Sequence, residues 1–289
     1  MMDTIELNNG ISIPQLGIGT YRISPDDAQR SVKHALDTGY RLIDTANIYM
    51  NEKAVGRAIK ESEIHRTDVF LTTKLWPSSF SFAKAKEAID ASLNRLGVDY
   101  LDLVLLHQPV GAINQAWRAL EEAIDEGKVR AIGVSNFTQK DLEKLLESTD
   151  VVPVVNQVEC HPYFQQRELK EFMKTNNIAL EAWYPLGSGS PELFAEPILT
   201  ALAQKYSKSV VQIILRWHVQ SGHIVIPGSK NLSHIDKNLD IFDFDLTDDE
   251  IALIGTLDRD KELAGMPRIV RRLIGLARPD FNAQPQLKR

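Results

Sequence analysis

Four side chains in the first 107 residues have the types and spacing to move a proton onto a carbonyl oxygen: Asp44, Tyr49, Lys74 and His107. Asp44 lies near the end of the apolar run RLIDTA, Lys74 near the end of VFLTTKL and His107 near the end of LDLVLLHQ. Tyr49 follows Asp44 by five residues in GYRLIDTANIYMNE. A phenol ordinarily titrates near ~10, too high for balanced acid–base work at neutral pH. A neighbouring lysine favours the phenolate and is expected to lower that value. Asp44 would hold Lys74 charged and in place. A neutral His107 could give a hydrogen bond that orients the carbonyl. Nothing in this set supplies a hydride, so a reduction would require a cofactor. Each residue also has a bland reading: Asp44 as a helix cap, Lys74 as its ion-pair partner, His107 as a satisfied buried ring, Tyr49 as packing. Convergence at one rim is what favours the chemistry.

The elements that must bring them together are visible as a rhythm. Eight short apolar runs, QLGIGT, RLIDTA, VFLTTKL, LDLVLLHQ, VRAIGVSN, PVVNQVE, ALEAWYP and IVIPGS, alternate with amphipathic segments. Ala28, Val32, Ala35 and Leu36 share one helical face; so do Ile89, Leu93 and Leu96, and Ile113, Trp117, Leu120 and Ile124. Gly39, Gly97 and Gly127 stand where helices should end, and Thr247 with Glu250 forms a capping box. Strands alternating with helices predict parallel strands. The count and the 289 residues fit a single (β/α)8 TIM barrel domain over 1–289, since such barrels run near ~250 residues. Asn9-Gly10 predicts an N-terminal hairpin over 1–15 built on a two-residue turn, and residues 262–289 read as a C-terminal tail. A doubly wound sheet is the alternative, but GIGTYR lacks the third glycine of the dinucleotide fingerprint. In a barrel, the strand C-terminal ends form the mouth that carries the active site.

A formal charge of −6 disfavours a nucleic-acid surface. The lone cysteine, Cys160, rules out an intrachain disulfide and fits a reducing compartment. No targeting or membrane-spanning run is read from the sequence, so a soluble cytoplasmic protein is expected, with no membrane partner. No metal is expected: Cys160 beside His161 is too small a set for a zinc site, and Cys160 reads as a buried small apolar residue. The tail carries arginines 268, 271, 272 and 278 among aliphatics, read as a docked basic turn rather than a membrane-surface helix.

Together GYRLIDTANIYMNE, TTKLW, LVLLHQP, GVSNF and VNQVECHP resemble the aldo-keto reductase superfamily over essentially the whole chain. EAWYPLG, LRWHVQSG and DLTDDEIALI look most like its bacterial 2,5-diketo-D-gluconate reductase branch. The resemblance implies an NADPH- or NADH-dependent oxidoreductase, a monomer, that reduces aldehydes, ketones or keto sugars. It implies that Tyr49 is the proton donor, tuned by Lys74 and Asp44, with His107 orienting the substrate. It places Ser135, Asn136 and Gln157 on the nicotinamide carboxamide and Trp183 against the nicotinamide ring. Gly19, Thr20 and Asp44 fall at the cofactor site, Leu186 and Ser188 in the loop over the pyrophosphate, and Ser229 and Asn238 at the adenosine phosphate. Tyr21, Trp76 and Gln108 would line the substrate pocket with Tyr49 and His107.

Two positions depart from the family. Many members have lysine after the Ile-Pro of the eighth strand and arginine six residues on; here these are Gly228 and His234. Both usual residues hold the 2′-phosphate of NADPH, so a weakened NADPH preference and real use of NADH are expected, unless Lys230 compensates. Gln108 stands where many relatives have tryptophan, read equally as neutral packing or a roomier, more polar pocket. If the tail folds over the mouth, its arginines would favour anionic substrates. Three rival readings stand beside it: a glycosidase built on Glu159 and Glu181, a metal hydrolase, and a nucleotide-binding regulatory protein without turnover.

Overall fold

Asn9 and Gly10 do make a turn, but not the two-residue one expected from sequence. Only Gly10 takes a positive φ, +80°. Leu7 N donates to Ile11 O and Gly10 N to Leu7 O, so three residues close the hairpin. This is the longer loop in which one glycine at positive φ suffices. The hairpin pairs β1 (Thr4–Glu6) with β2 (Ser12–Pro14). The structure, a computed structural model, describes residues 3–264, 270, 273 and 276–284.

After the hairpin the chain alternates as β3 (Gly17–Gly19), α1 (Pro25–Thr38), β4 (Leu42–Asp44), α2 (Glu52–Glu61), β5 (Phe70–Leu75), α3 (Phe82–Leu96), β6 (Leu101–Leu106) and α4 (Ile113–Asp125). It continues as β7 (Val129–Ser135), α5 (Gln139–Leu146), β8 (Val155–Glu159), α6 (Arg167–Thr175) and β9 (Ala179–Trp183). Then come α7 (Pro191–Phe194), α8 (Pro197–Tyr206), α9 (Val210–Gln220), β10 (Ile224–Val225), α10 (Leu232–Leu239) and α11 (Asp248–Gly255). Strands β3 to β10 lie in sequence order and pair in parallel. The ends meet through a parallel bridge between Leu16 and Val225, with Val225 N to Gln15 O at 2.7 Å and Gly19 N to Pro227 O at 3.3 Å. The result is the expected (β/α)8 barrel; the doubly wound sheet is excluded.

At the seam Gly19 and Gly228 pass backbone against backbone. A Cβ on Gly19 would meet Ile226 O at 2.8 Å, and one on Gly228 would meet Gly19 O at 3.0 Å. Barrel closure gives Gly19 a packing reason beyond any cofactor.

Two apolar layers hold the strands. Leu7 and Ile13 of the hairpin pack with Leu42, Phe70, Leu103 and Ile224 to plug one end of the barrel. Asn8 and Asn9 add amide bonds to the carbonyls of Pro153, Asn177 and Arg130, at or just before barrel strands. The helical faces read from sequence cover the outside: Ala28, Val32, Ala35 and Leu36 are fully buried, as are Trp117 and Leu120. Each such leucine or valine contributes about 1.5–3 kcal/mol on burial. Gly39, Gly97 and Gly127 all take positive φ where α1, α3 and α4 end. The Thr247–Glu250 capping box opens α11.

Candidate active site

Strand register decides which side chains meet at the mouth. Asp44 ends β4 opposite Thr72 of β5, and Lys74 stands two residues further along the same face. Both point into the barrel and both are buried. Lys74 Nζ reaches Asp44 Oδ1 at 2.5 Å and Oδ2 at 2.6 Å, and donates to Thr45 O at 3.0 Å. Gln157 of β8 gives its amide to Asp44 Oδ2 at 2.9 Å. Burial pushes the Asp44 carboxyl upward; Lys74 and Gln157 pull it back.

Tyr49 reaches this pair from a 3-10 turn, residues Asn47–Tyr49, that follows β4. Asn51, which sequence reading passed over, fixes that turn. Its amide donates to Thr20 O at 2.9 Å and Ile23 O at 3.2 Å, and its oxygen accepts from Thr45 Oγ1 at 3.0 Å. The loops after β3 and β4 are thereby tied together. Lys74 Nζ donates to the Tyr49 hydroxyl oxygen at 3.3 Å. The phenol oxygen is therefore the acceptor, and its own proton remains free to be given elsewhere. The expectation that Lys74 lowers the phenol's pKa is corrected: it is pushed well up, first by burial and then by Asp44. Lys74 has its charge matched at close range by Asp44, so desolvation wins.

His107, just past β6, lies edge-on to Tyr49 at 5.6 Å between ring centroids and edge-on to Trp76 at 5.1 Å. Burial, with Lys74 adding to it, lowers its pKa well below the ordinary histidine range, so it is neutral as expected. The Tyr21 ring sits 5.1 Å from Tyr49 and is 45% exposed, on the rim. Trp76, Tyr21, Tyr49 and His107 thus share one wall. Gln108 is part-buried beside His107, with its carbonyl bonded to Val110 N.

A second set lies on β7, β8 and β9. Trp183 Nε1 donates to Asn136 Oδ1 at 3.0 Å; Asn136 Nδ2 donates to His107 O at 3.1 Å and Ser135 Oγ at 3.0 Å. Ser135, Asn136 and Trp183 are therefore linked to each other and to the His107 backbone, whereas Gln157 joins them through its carbonyl, which accepts Asn136 N at 2.9 Å, and gives its amide to Asp44. Beyond β9, Tyr184, Gly187, Ser188 and Gly189 all take positive φ. Such backbone is costly for a bulky residue such as Tyr184, and it concentrates at functional sites. Leu186 and Ser188 belong to this loop. Thr20 is buried and bonds Asp44 O through both N and Oγ1 at 3.0 Å, a structural tie. Ser229 and Lys230 lie on the loop before α10, His234 is exposed on that helix and Asn238 is buried there. Lys230 is exposed and accepts Arg30 at its carbonyl, so its ammonium is not committed by that bond. Arg268, Arg271 and Arg272 lie outside the described residues; Arg278 is exposed.

The paired-carboxylate rival loses its first member. Glu159 Oε1 accepts Leu263 N at 2.6 Å and Ala264 N at 2.9 Å, anchoring the start of the tail. Glu181 is different. It faces Gln157 in register, yet neither of its oxygens has a partner among the described residues. Burial, then Asp44, raises it to about 8. A carboxyl that titrates near 4.5 when unfolded and near 8 when folded keeps a proton the unfolded chain has released. Its contribution to stability is present in full below the lower value and is lost as pH rises through the higher one. Glu181→Gln should remove that loss. Its melting temperature relative to wild type should climb by about 5 °C or more between pH ~5 and pH ~9. Parallel thermal scans with a flat difference would contradict this.

The family profile of the aldo/keto reductases matches residues 14–259. The chain belongs to the aldo/keto reductase family. It is 44% identical to a glyoxal reductase of Bacillus subtilis, covering 92% of this chain and 97% of that one. It is 42% identical to a methylglyoxal reductase of Escherichia coli, covering 91% and 96%. The crystal structure of a Bombyx mori aldo-keto reductase in complex with NADP superposes with a TM-score of 0.87 at 35% identity, covering 91% of this chain and 95% of that one. This reductase is an oxidoreductase that reduces carbonyl compounds with a nicotinamide cofactor. A nucleotide-binding role without turnover finds no support among these relatives. Among the described residues, no helix is long and apolar enough to cross a membrane.

Proposed function

We infer that this reductase takes small polar carbonyls, 2-oxoaldehydes and short keto sugars among them, with Tyr49 as proton donor and the chain working as one barrel domain. The observation that carries the reading is the direction of the Lys74–Tyr49 hydrogen bond. Lys74 donates to the phenol oxygen, so the phenol's proton is left free to be given to a substrate and the oxyanion left behind would be met by an ammonium. Asp44 holds that ammonium in place. Neutral His107 orients the carbonyl, and Trp76 and Tyr21 bound the pocket around it. The bound nicotinamide nucleotide supplies the hydride. Ser135, Asn136, Gln157 and Trp183 would hold its nicotinamide end. The part-exposed Trp183 indole and the amides beside it fit a flat ring bearing a carboxamide.

The glyoxal and methylglyoxal activities named for the relatives support the substrate class, as does a part-buried glutamine at position 108 rather than a tryptophan. The 2,5-diketo-D-gluconate branch is the finer reading and rests on the EAWYPLG and LRWHVQSG motifs. The test is oxidation of NADPH and NADH, separately, against glyoxal, methylglyoxal, keto sugars and bulky apolar ketones. Higher kcat/KM for the small polar set supports the reading; a preference for bulky apolar ketones overturns it.

Cofactor choice follows from Gly228 and His234. Without two cations, the 2′-phosphate loses its usual partners, and comparable kcat/KM with NADH and NADPH is expected. Gly228→Lys should tighten NADPH about tenfold, the value of about one charge-assisted contact. It must first move the Gly19 carbonyl by a few tenths of an ångström. Fluorescence titration with both nucleotides measures this. A large wild-type NADPH preference that survives Lys230→Ala would remove the argument.

A further inference from the structure

We propose that Cys160, His218 and His223 form a binding site for one soft monovalent cation, Cu(I), outside the reductase centre. Cys160 follows β8, His218 lies in the last turn of α9 and His223 precedes β10. All three are buried, and one donor atom from each lies within 4.8 Å of the others. The short turn through Gly222, at φ +75°, folds the two histidines together, with His223 N bonded to His218 O at 3.0 Å.

The tautomers follow from the hydrogen bonds. His218 Nε2 lies 3.3 Å from Pro185 O, a contact that needs a proton on that nitrogen. His218 Nδ1 is then an acceptor, and it faces His223 Nδ1 at 3.1 Å. A ligating histidine that gives its other N–H to a backbone carbonyl is the usual support of a metal site. In the metal-free chain one proton serves both Nδ1 atoms, and His223 Nε2 is buried without a partner among the described residues. The cluster is thus incompletely satisfied as a hydrogen-bonded pair.

Charge selects the ion. Both rings are buried, where a charged imidazole would be costly, so they serve as neutral donors. Cys160 is a free, buried thiol, so a cation must displace its proton. In that exchange the S–H bond breaks and its proton leaves to solvent, the His223 proton moves from Nδ1 to the unpartnered Nε2, and one S–Cu and two N–Cu bonds form; no electron moves. Thiolate, two neutral imidazoles and Cu(I) sum to zero charge. A divalent ion would leave a net positive charge in an apolar layer and would seek a fourth ligand. The Lys170 ammonium, bonded to Ser221 O at 3.2 Å, acts electrostatically on all three groups and further disfavours a positive complex. Soft thiolate with imidazole suits Cu(I).

The test is anaerobic titration of the full chain with Cu(I) against a chromophoric Cu(I) chelator, repeated with Zn2+. Cys160 is the sole thiol, so thiolate binding has one possible source. One equivalent per chain is expected, with X-ray absorption showing one sulfur and two nitrogen ligands. Cys160→Ser and His223→Val should each weaken binding more than about 100-fold, beyond the loss of an outer partner. Both variants should keep their far-UV spectrum and carbonyl reduction without metal. Binding well below one equivalent, binding unchanged in either variant, or tighter Zn2+ binding at the same residues would overturn the assignment.

Discussion

Tyr49→Phe should lower kcat for carbonyl reduction by about 10²–10⁴, the usual worth of a positioned general acid. Binding of NADPH and NADH should stay within about threefold of wild type, because the hydroxyl makes no contact that the cofactor residues need. The fold should survive. The Tyr49 hydroxyl accepts one bond, from Lys74 at 3.3 Å, while Lys74 keeps Asp44 and the Thr45 carbonyl. Steady-state kinetics beside a thermal melt separate the two effects. A variant that melts like wild type and turns over like wild type would remove Tyr49 from the chemistry.

Lys74→Met carries the largest expected stability effect. Among the described residues, it leaves the buried Asp44 carboxylate with the Gln157 amide alone against its charge. Breaking a buried pair by removing one partner costs about 3–5 kcal/mol, whereas removing both charges together is often near neutral. Lys74→Met should therefore melt well below wild type at pH ~7, and the deficit should shrink toward acid pH as Asp44 takes up a proton. The double variant Asp44→Asn/Lys74→Met should recover most of that stability and none of the activity. Chemical denaturation of the three proteins, with kcat on each, checks this. Recovery of both properties in the double variant would make the pair structural only; recovery of neither would make it more than a pair.

Asp44, Lys74 and His107 were legible in the sequence because each ends an apolar run, and parallel alternation sends every run's end to the same mouth. Helix ends were legible because Gly39, Gly97 and the Thr247–Glu250 pair act through local backbone geometry. What could not be read depends on neighbours remote in the chain. The upward shift of Tyr49 depends first on how deeply the mouth buries the phenol and then on the nearness of Asp44, neither of which is local in the chain. Asn51 ties two loops through backbone carbonyls, which leave no mark in a sequence pattern. The isolation of Glu181 is set by where Gln157 aims its amide, at Asp44 rather than across the register. Gly228 read as a lost phosphate ligand, yet the seam of the barrel gives it a second constraint, the Gly19 carbonyl 3.0 Å from where its Cβ would be. The hairpin turn differed because Asn9 did not need the left-handed region once the loop took a third residue.

The central claim is hydride reduction of a carbonyl with Tyr49 giving the proton. The most direct measurement is a single turnover of enzyme loaded with nicotinamide deuterated at its reactive carbon, mixed with methylglyoxal, for wild type and Tyr49→Phe. The account predicts deuterium at the new alcohol carbon in both, with the Tyr49→Phe transfer slower by at least about 10² and nucleotide binding unchanged. Product without deuterium, or equal transfer rates in the two proteins, would contradict it.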